Sequence, residues 1–289
     1  RGVKRFLDRR SPELDALTIS WFGGEPLLAL DIIEDVMAHA ADLRGRHANL
    51  PVSSDITTNG YRLTPDALSR LVNAGVRSFQ ISLDGLAAAH NRTRRRAGGE
   101  GTFEKIWANL LSLRESDADC EVTVRLHVHG DNVTGLEAFI DEYARCLGRG
   151  GRLSLFIRPV VPLGGPNDAS FPFLSLDEFR DVIPRLREQA EALGVKYLGY
   201  DRADVCYAAK ANSFIVRANG RLNKCTVALY ESENDVGSIQ EDGTLDLAPA
   251  KWSPWMRGLL SLNQEELVCP LRGLVDLKKE PRIQIESGG

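Results

Sequence analysis

Residues 17–31, which read LTISWFGGEPLLALD, decide the fold of this chain. The apolar and β-branched run Leu17–Trp21 predicts a strand, and a helix is predicted from Asp31 onward. Between them, the two glycines of Gly23-Gly24-Glu25-Pro26 permit backbone conformations that other residues avoid, and Glu25 adds a negative charge. Carbonyls and a carboxylate at the end of a strand suit an ammonium group, whereas phosphate needs amide donors. The alternative interpretation is an ordinary strand-to-helix turn.

Strand-like and helix-like segments alternate through the first two thirds of the chain. Short apolar or β-branched runs predict five strands, at Leu17–Trp21, Val52–Thr57, Ser78–Leu83, Val122–Val128 and Leu153–Val160. Segments with helical periodicity lie between them, and Ser175 with Glu178 forms a capping box that begins a long helix. Repeated strand–helix units of this size predict an α/β fold with a parallel sheet, either open or closed into a barrel.

The character of the sequence changes near Tyr200. Phe214–Arg217 and Arg221–Lys224 flank Asn219-Gly220, which is typical of a β-hairpin. We therefore predict two domains, a larger one over residues 1–199 and a smaller one over residues 200–289.

Composition excludes several classes of function. The formal net charge of −4 argues against general nucleic-acid binding, which needs a clustered basic surface. No run approaches the roughly 18 to 20 apolar residues that span a bilayer, so no membrane association is expected. The five cysteines are an odd and widely spaced set, which predicts a reducing compartment such as the cytoplasm, with thiols available for metal.

Three successive predicted strands end in small polar residues next to glycine. The first ends in Gly23–Pro26, the second in Thr57-Thr58-Asn59-Gly60 and the third in Ser82-Leu83-Asp84-Gly85. Because ligands of parallel α/β folds collect at the carboxyl ends of the strands, we expect these residues to form one binding rim. Taken singly, Asn59-Gly60 and Asp84-Gly85 are also turn dipeptides.

In combination, these three motifs resemble those of radical S-adenosylmethionine (SAM) enzymes, over roughly residues 15–165. The resemblance implies a partial (β/α)6 barrel of the TIM type, in which Leu17–Trp21 is the second strand. It implies that Gly23, Gly24, Glu25 and Pro26 receive the methionine amino group of SAM. The remaining implied SAM-binding residues lie near the ribose, the carboxylate or the adenine: Thr58, Asn59, Ser82, Asp84, Arg125 and, within residues 160–164, Leu163. For Arg125, pairing with Glu121 or Asp119 is an equal alternative.

The smaller domain extends the resemblance. Cys206, Gly220 and Cys225 have the spacing that opens the SPASM or twitch extension of peptide-modifying radical SAM enzymes. The hairpin at Asn219-Gly220 would carry Cys225 back toward Cys206, so that both thiolates share one iron–sulfur cluster. With Cys269, these residues are the predicted metal ligands of one or more auxiliary clusters. Two buried free cysteines are the alternative, and the further cysteines that are usual in such an extension are absent from the sequence.

The C-x3-C-x2-C motif that holds the radical SAM [4Fe–4S] cluster is also absent from this sequence. Our expectation is that these ligands lie outside residues 1–289; a pseudo-enzyme that binds SAM or peptide without catalysis is the alternative. The resemblance implies reductive cleavage of SAM to a 5′-deoxyadenosyl radical, with flavodoxin or ferredoxin as electron donor. It further implies hydrogen abstraction from a peptide or protein, giving a crosslink, an epimer or a similar modification. A formylglycine-forming sulfatase maturase is the nearest enzymatic alternative, and no catalytic acid or base is assigned.

Other reactive residues favour structural interpretations. Cys120 and Cys146 are expected to be core or surface thiols. His127 and His129 share one face of a strand, and we favour a structural role over metal binding. The basic group Arg92, Arg94, Arg95 and Arg96 is interpreted as a solvated loop, with recognition of an acidic peptide or of the SAM carboxylate as the alternative.

Overall fold

The fold was established from a computed structural model of the chain. The structure describes residues 1–47, 50–148, 151–162, 168–199, 205–229 and 231–274. Contacts divide these residues into two compact units. The barrel unit consists of the described residues of Asp15–Val161 and Ser170–Gly199, and the cysteine unit consists of those of Arg1–Leu14, Pro162–Ala169 and Tyr200–Gly289.

A five-stranded parallel sheet forms the centre of the barrel unit. The strands lie side by side in chain order: β1 Leu17–Trp21, β2 Val52–Thr58, β3 Ser78–Leu83, β4 Glu121–Val128 and β5 Leu153–Pro159. All four pairings are parallel. The predicted α/β class is therefore confirmed, and each predicted strand is present to within one residue at either end. The sequential order is that of a partial TIM-like barrel.

Helices connect the strands of the barrel unit. They are α2 Leu30–Arg46, α3 Pro65–Asn73, α4 Ala87–Thr93, α5 Phe103–Glu115, α6 Leu136–Cys146 and α7 Leu176–Ala192. The ends follow the sequence signals, because the Thr64 hydroxyl accepts a hydrogen bond from the Ala67 amide at the start of α3. At the start of α7, Ser175 and Glu178 form the predicted capping box. Helix α4 was not predicted, and it places Arg92 in a helix rather than in a loop.

The two faces of the sheet differ in polarity. One face, which includes Ile56, Phe79, Val124 and Ile157, packs against α2, α3, α5, α6 and α7 in a single hydrophobic core. Strand register places on the other face the polar or aromatic residues Thr18, Ser20, Ser53, Asp55, Thr57, Gln80, Ser82, Thr123, Arg125, His127, Ser154, Phe156 and Arg158. Parallel sheets are usually apolar on both faces. We call the polar face the inner face.

The cysteine unit is built on a four-stranded antiparallel sheet. Its strands are β6 Ile215–Val216, β7 Arg221–Asn223, β8 Asp235–Ile239 and β9 Leu245–Leu247. The predicted hairpin at Asn219-Gly220 is present, and Gly220 has a φ of +78°, which favours glycine. Helix α1, Gly2–Arg10, packs in this unit rather than with the barrel residues, and the Arg9 guanidinium bonds the Asp242 carboxylate at 3.3 Å.

The segment after Leu245 contains short helices where the sequence showed no regular pattern. They are α8 Pro249–Trp252, α9 Arg257–Ser261 and α10 Gln264–Val268. Helices of four or five residues are too short to display a 3.6-residue periodicity, which explains the omission. Within the described part of the chain, none of the helices combines the length and the apolarity needed to cross a membrane.

Candidate functional site

The carboxylate of Glu25 joins the ends of β1 and β2. Its Oε1 accepts hydrogen bonds from the Leu27 amide at 3.0 Å and the Thr58 hydroxyl at 2.6 Å. Its Oε2 accepts one from the Asn59 amide at 2.8 Å. A carboxylate has about four acceptor positions, so these bonds fix its orientation and leave one position on Oε2 for a ligand cation. The first two strand ends therefore converge, as the sequence predicted for a binding rim.

Thr58 is buried and its only hydroxyl proton is used on Glu25, so it cannot donate to a ligand. Its hydroxyl donates to Glu25 and accepts from the Gly60 amide at 3.1 Å, and the residue is 3% exposed. Asn59 is exposed, and its side-chain oxygen accepts from the Tyr61 amide at 2.9 Å, whereas its side-chain nitrogen has no hydrogen-bond partner among the described residues. Of these two residues implied to contact SAM, Asn59 can still bond a ligand, whereas Thr58 orients the carboxylate of Glu25.

The two glycines before Glu25 leave open space at the rim. Gly23 has a φ of +139°, which side-chain-bearing residues rarely adopt. A Cβ built at Gly23 or Gly24 would have no atom within 4 Å, so a side chain there would occupy space that is otherwise open to a ligand. Pro26 starts the short 3₁₀ turn Pro26–Ala29 that leads into α2. The backbone before Glu25 therefore leaves room for a ligand at the rim.

Asp84, at the end of β3, lies in a buried polar network. Its Oδ2 accepts hydrogen bonds from Thr93 Oγ1 at 2.8 Å and Arg94 Nε at 2.7 Å. Its Oδ1 lies 3.0 Å from His127 Nδ1. The fully buried Asn132 donates to the backbone oxygens of Asp84 and His127, at 2.9 and 2.8 Å. Both carboxylate oxygens are thus engaged by protein groups, and Asp84 organises the rim rather than offering a free acceptor.

The charges of this network determine the protonation of Asp84 and His127. Burial alone would raise the pKa of Asp84, but the bond from His127 and the charge of Arg94 outweigh it and hold that pKa well below its usual range. Burial, together with Arg125 and Arg94, lowers the pKa of His127 despite its bond to Asp84. Arg94 Nη2 also lies 3.1 Å from His127 Nδ1. Nδ1 cannot donate to Asp84 and accept from Arg94 at once. Because an ionised carboxylate can only accept, Nδ1 carries the proton and donates to Asp84, and the approach of the Arg94 guanidinium is then a charge contact and not a hydrogen bond to Nδ1.

Arg125 and Ser82 are paired neighbours on the inner face, one step below the rim. Arg125 Nε is buried and has no hydrogen-bond partner among the described residues, and burial lowers the pKa of the guanidinium. The alternative partners are engaged elsewhere: Glu121 lies 3.8 Å from Lys196, and Asp119 lies 3.5 Å from Arg77. A buried guanidinium without an anion favours a bound carboxylate. The Ser82 hydroxyl likewise has no recorded bond in the described part of the structure.

The site therefore carries two separate charges. Glu25 provides a negative charge at the end of β1, and Arg125 provides a positive charge on β4 whose Nε has no partner among the described residues. A ligand with both an ammonium and a carboxylate has the groups that would complement these two charges. Leu163, the predicted adenine neighbour, lies outside the described residues, so its role stays a prediction.

The three predicted cysteine ligands belong to one hydrophobic cluster of the cysteine unit, with Trp255 and Leu222 at its centre. Burial raises the pKa of the Cys206 thiol, and the charges of Cys225 and Cys269 act in the same direction. Over the described ranges, no three His, Cys, Asp or Glu side chains are arranged to hold a single metal ion. A cluster with several iron atoms accepts more widely spaced thiolates, so the donor chemistry is compatible with iron–sulfur ligation.

The remaining reactive residues have structural positions. Cys120 is buried and Cys146 is half-buried, and both lie in the barrel unit. His129 is buried, and its ring lies 5.3 Å from the Phe171 ring. Arg96 lies over the Tyr61 ring at 5.6 Å, and Arg95 Nε donates to the Asn91 carbonyl at 2.8 Å.

Arg94 and Asn132 are site residues that the sequence analysis did not identify. Arg94 was interpreted as part of a solvated loop, yet its Nε bonds Asp84. Asn132 follows β4 by four residues and was not considered. The sequence signal for Arg94 was its separation of ten residues from Asp84. This separation predicts a contact only if the intervening residues form a short helix, as α4 does.

The comparisons with known proteins agree with this geometry. A profile of the radical SAM superfamily matches residues 3–143. Residues 3–143 therefore match the radical SAM domain that the three strand-end motifs predicted.

Curated relatives match parts of the chain. An AdoMet-dependent heme synthase of Nitratidesulfovibrio vulgaris is 31% identical over 173 residues, which is 60% of this chain and 42% of that protein. The mycofactocin maturase MftC of Mycobacterium ulcerans is 32% identical over 125 residues, 43% of this chain and 31% of that protein. The chain thus spans less than half the length of these relatives.

Solved structures share the fold. Native anSMEcpe with bound AdoMet and the Kp18Cys peptide superimposes with a TM-score of 0.66 at 17% identity, covering 83% of this chain and 68% of that one. At this identity the similarity shows the fold alone.

Proposed function

We propose that the chain binds SAM at the rim of the barrel unit and belongs to an enzyme that modifies a peptide or protein. The observation that carries the proposal is that the site has both an oriented carboxylate, that of Glu25, and a buried guanidinium, that of Arg125, whose Nε has no partner among the described residues. Glu25 Oε2 would hold the methionine ammonium, and Arg125 Nε would donate to the carboxylate. Ser82 and Asn59 would bond the ribose or the carboxylate.

The protein groups around this pocket orient and desolvate the cofactor. With its [4Fe–4S] cluster, bound SAM would supply a 5′-deoxyadenosyl radical for hydrogen abstraction. Thr58 and the Asn59 amide keep Glu25 aligned, so that little reorganisation accompanies binding. Asp84 holds the proton of His127 on Nδ1, while burial together with Arg125 and Arg94 favours the neutral ring, which leaves the Nε2 lone pair available on the inner face.

A peptide or protein substrate is supported by the relatives and by the cysteine unit. A mycofactocin maturase matches in sequence, and a protein solved with a bound peptide shares the fold. We propose that the residues after 200 form a SPASM- or twitch-like domain in which Cys206, Cys225 and Cys269 bind an auxiliary cluster. The five unpaired cysteines suit a reducing compartment, and flavodoxin or ferredoxin is the proposed electron donor.

The proposal is tested with the complete protein, purified without oxygen and reconstituted with iron and sulfide. Dithionite and SAM are added, and 5′-deoxyadenosine is measured by liquid chromatography. Mass spectrometry then examines any short peptide encoded beside the gene after coexpression. We expect 5′-deoxyadenosine and a modified peptide, and neither product with the Glu25→Gln variant. A filled cluster that yields no 5′-deoxyadenosine would contradict catalysis and favour a SAM-binding pseudo-enzyme.

The heme-synthase relatives support a second candidate, an enzyme whose substrate is a tetrapyrrole rather than a peptide. This candidate is favoured by the 31% identity over 173 residues. The same reconstituted enzyme distinguishes the two, because 5′-deoxyadenosine formation would then increase with a porphyrin carboxylate and not with the peptide. A formylglycine-forming maturase predicts instead that a Cys- or Ser-containing sulfatase peptide acquires an aldehyde.

A further inference from the structure

A single buried side chain, Asn234, holds the loop that carries Cys225. Asn234 is 0% exposed and precedes β8, and the pairing of Asn223 with Asp235 brings it beside the residues that follow β7. Its Oδ1 accepts hydrogen bonds from the amides of Lys224 and Cys225, both at 2.9 Å. Its Nδ2 donates to the carbonyls of Cys225 at 2.7 Å and Ala228 at 2.8 Å. Both N–H donors and both acceptor positions of the Asn234 side-chain amide are thus used on residues 224–228.

The loop has features of a thiolate site. The Val227 amide donates to Cys225 Sγ at 3.4 Å, and such N–H···S bonds stabilise ligating sulfurs. Tyr207, next to Cys206, accepts from the Thr226 amide at 3.0 Å through its hydroxyl, which ties the two cysteine segments together. Both bonds join protein groups, so they do not depend on a bound cluster.

The cation of Lys224 is buried in the same place. The residue is 0% exposed, and its Nζ donates to the carbonyls of Lys210 at 2.5 Å and Ser213 at 2.6 Å. Its ammonium lies 5.0 Å from the centre of the Phe214 ring. These contacts anchor the residue that immediately precedes Cys225.

We propose that Asn234 is the positioning residue of the cysteine site and holds Cys225 ready for an iron–sulfur cluster before the cluster is bound. This inference rests on the proposed auxiliary cluster. It predicts that the loop of residues 224–228 is rigid in the metal-free protein, and that loss of the Asn234 amide weakens cluster binding and removes the Val227 bond to sulfur.

The test uses the complete protein, reconstituted anaerobically with iron and sulfide. Asn234→Ala is compared with Asn219→Ala as a matched control. The Asn219 side chain is exposed, and its Oδ1 accepts one hydrogen bond among the described residues, from the Arg221 backbone amide at 3.1 Å. A Cys206→Ala/Cys225→Ala double variant defines the iron that belongs to other sites. Iron per chain, the electron paramagnetic resonance spectrum and its midpoint potential are measured. We expect Asn234→Ala to lose more than half of the cysteine-dependent iron and the remaining cluster to have a lower midpoint potential. Asn219→Ala should match the wild type.

Hydrogen exchange of the metal-free wild-type protein gives an independent result if Asn234→Ala does not fold. The amides of Lys224 and Cys225 should exchange at least tenfold more slowly than those of the exposed turn at Asn219. Rapid exchange that slows only after iron is added would overturn the inference. Equal iron and an unchanged spectrum in Asn234→Ala would overturn it as well. If the double cysteine variant retains all the iron of the wild type, both the inference and the auxiliary cluster fail, whereas formation of 5′-deoxyadenosine still tests the SAM site separately.

Discussion

Replacement of Arg125 by methionine should weaken SAM binding without lowering the stability of the folded protein. Methionine keeps an unbranched apolar stem on the inner face of β4 and removes only the charged group. Because Arg125 Nε has no partner among the described residues, the variant breaks no recorded bond of the folded protein. We therefore expect the free energy of unfolding to change by less than about 1 kcal/mol, or to increase.

Ligand affinity should respond differently. Hydrogen bonds between charged groups contribute about 1.5–3 kcal/mol, and each 1.4 kcal/mol is a factor of about ten, so SAM should bind about 10- to 100-fold more weakly. Calorimetric titration under nitrogen measures this with SAM and with decarboxylated SAM, which lacks the carboxylate. The wild type should prefer SAM, and Arg125→Met should bind both ligands equally.

The control is Arg145→Met, because Arg145 is exposed on α6 and pairs with Glu142 at 2.6 Å. This variant should retain the affinity and the preference of the wild type. If Arg125→Met still prefers SAM over its decarboxylated analogue by the wild-type ratio, then the carboxylate binds elsewhere and the assignment of Arg125 is wrong.

Three further predictions concern the rim. Glu25→Gln removes the negative charge and places an amide donor next to the backbone amides that bond the carboxylate in the wild type. SAM should therefore bind about 100-fold more weakly in the same titration, and a loss below about threefold would contradict this. Asp84→Asn leaves Arg94 and His127 without their anion and should lower the free energy of unfolding in urea by about 3–5 kcal/mol. Because the folded pKa of Asp84 is depressed, its contribution is present above the unfolded pKa and disappears as the pH falls below about 4, a dependence that the variant should lack. His90 is a buried residue of α4 whose Nδ1 accepts a hydrogen bond from the Asp84 amide at 3.3 Å, and burial lowers its pKa from 6.5 to about 4. The unfolded chain therefore takes up a proton first as the pH falls from 6.5 to about 4. At 1.36 kcal/mol per pH unit about 3 kcal/mol of stability should be lost, an effect absent from His90→Asn.

The sequence was sufficient to predict the five strands and the location of the rim, for a physical reason. Strands and their glycine-containing ends are local patterns, and parallel packing brings successive carboxyl ends to one edge. The confirmed strand Leu17–Trp21 and the convergence of Glu25 with Asn59 follow from these two rules.

The distribution of roles within the rim could not be predicted in this way. Thr58 and Asp84 were expected to contact the cofactor, but their polar atoms bond protein groups, which depends on side-chain distances that no spacing encodes. Arg94 resembled a solvated loop residue because four arginines lie close together in the sequence. Asn234 was missed because its importance arises from the pairing of β7 with β8, which brings together residues ten positions apart.

The most direct test of the central claim is an anaerobic crystal structure of the complete protein with SAM bound. The account predicts the methionine ammonium within hydrogen-bond distance of Glu25 Oε2 and the carboxylate within reach of Arg125 Nε. A SAM molecule bound away from the ends of β1 to β3, or a methionine carboxylate with Arg125 still unpaired, would contradict it.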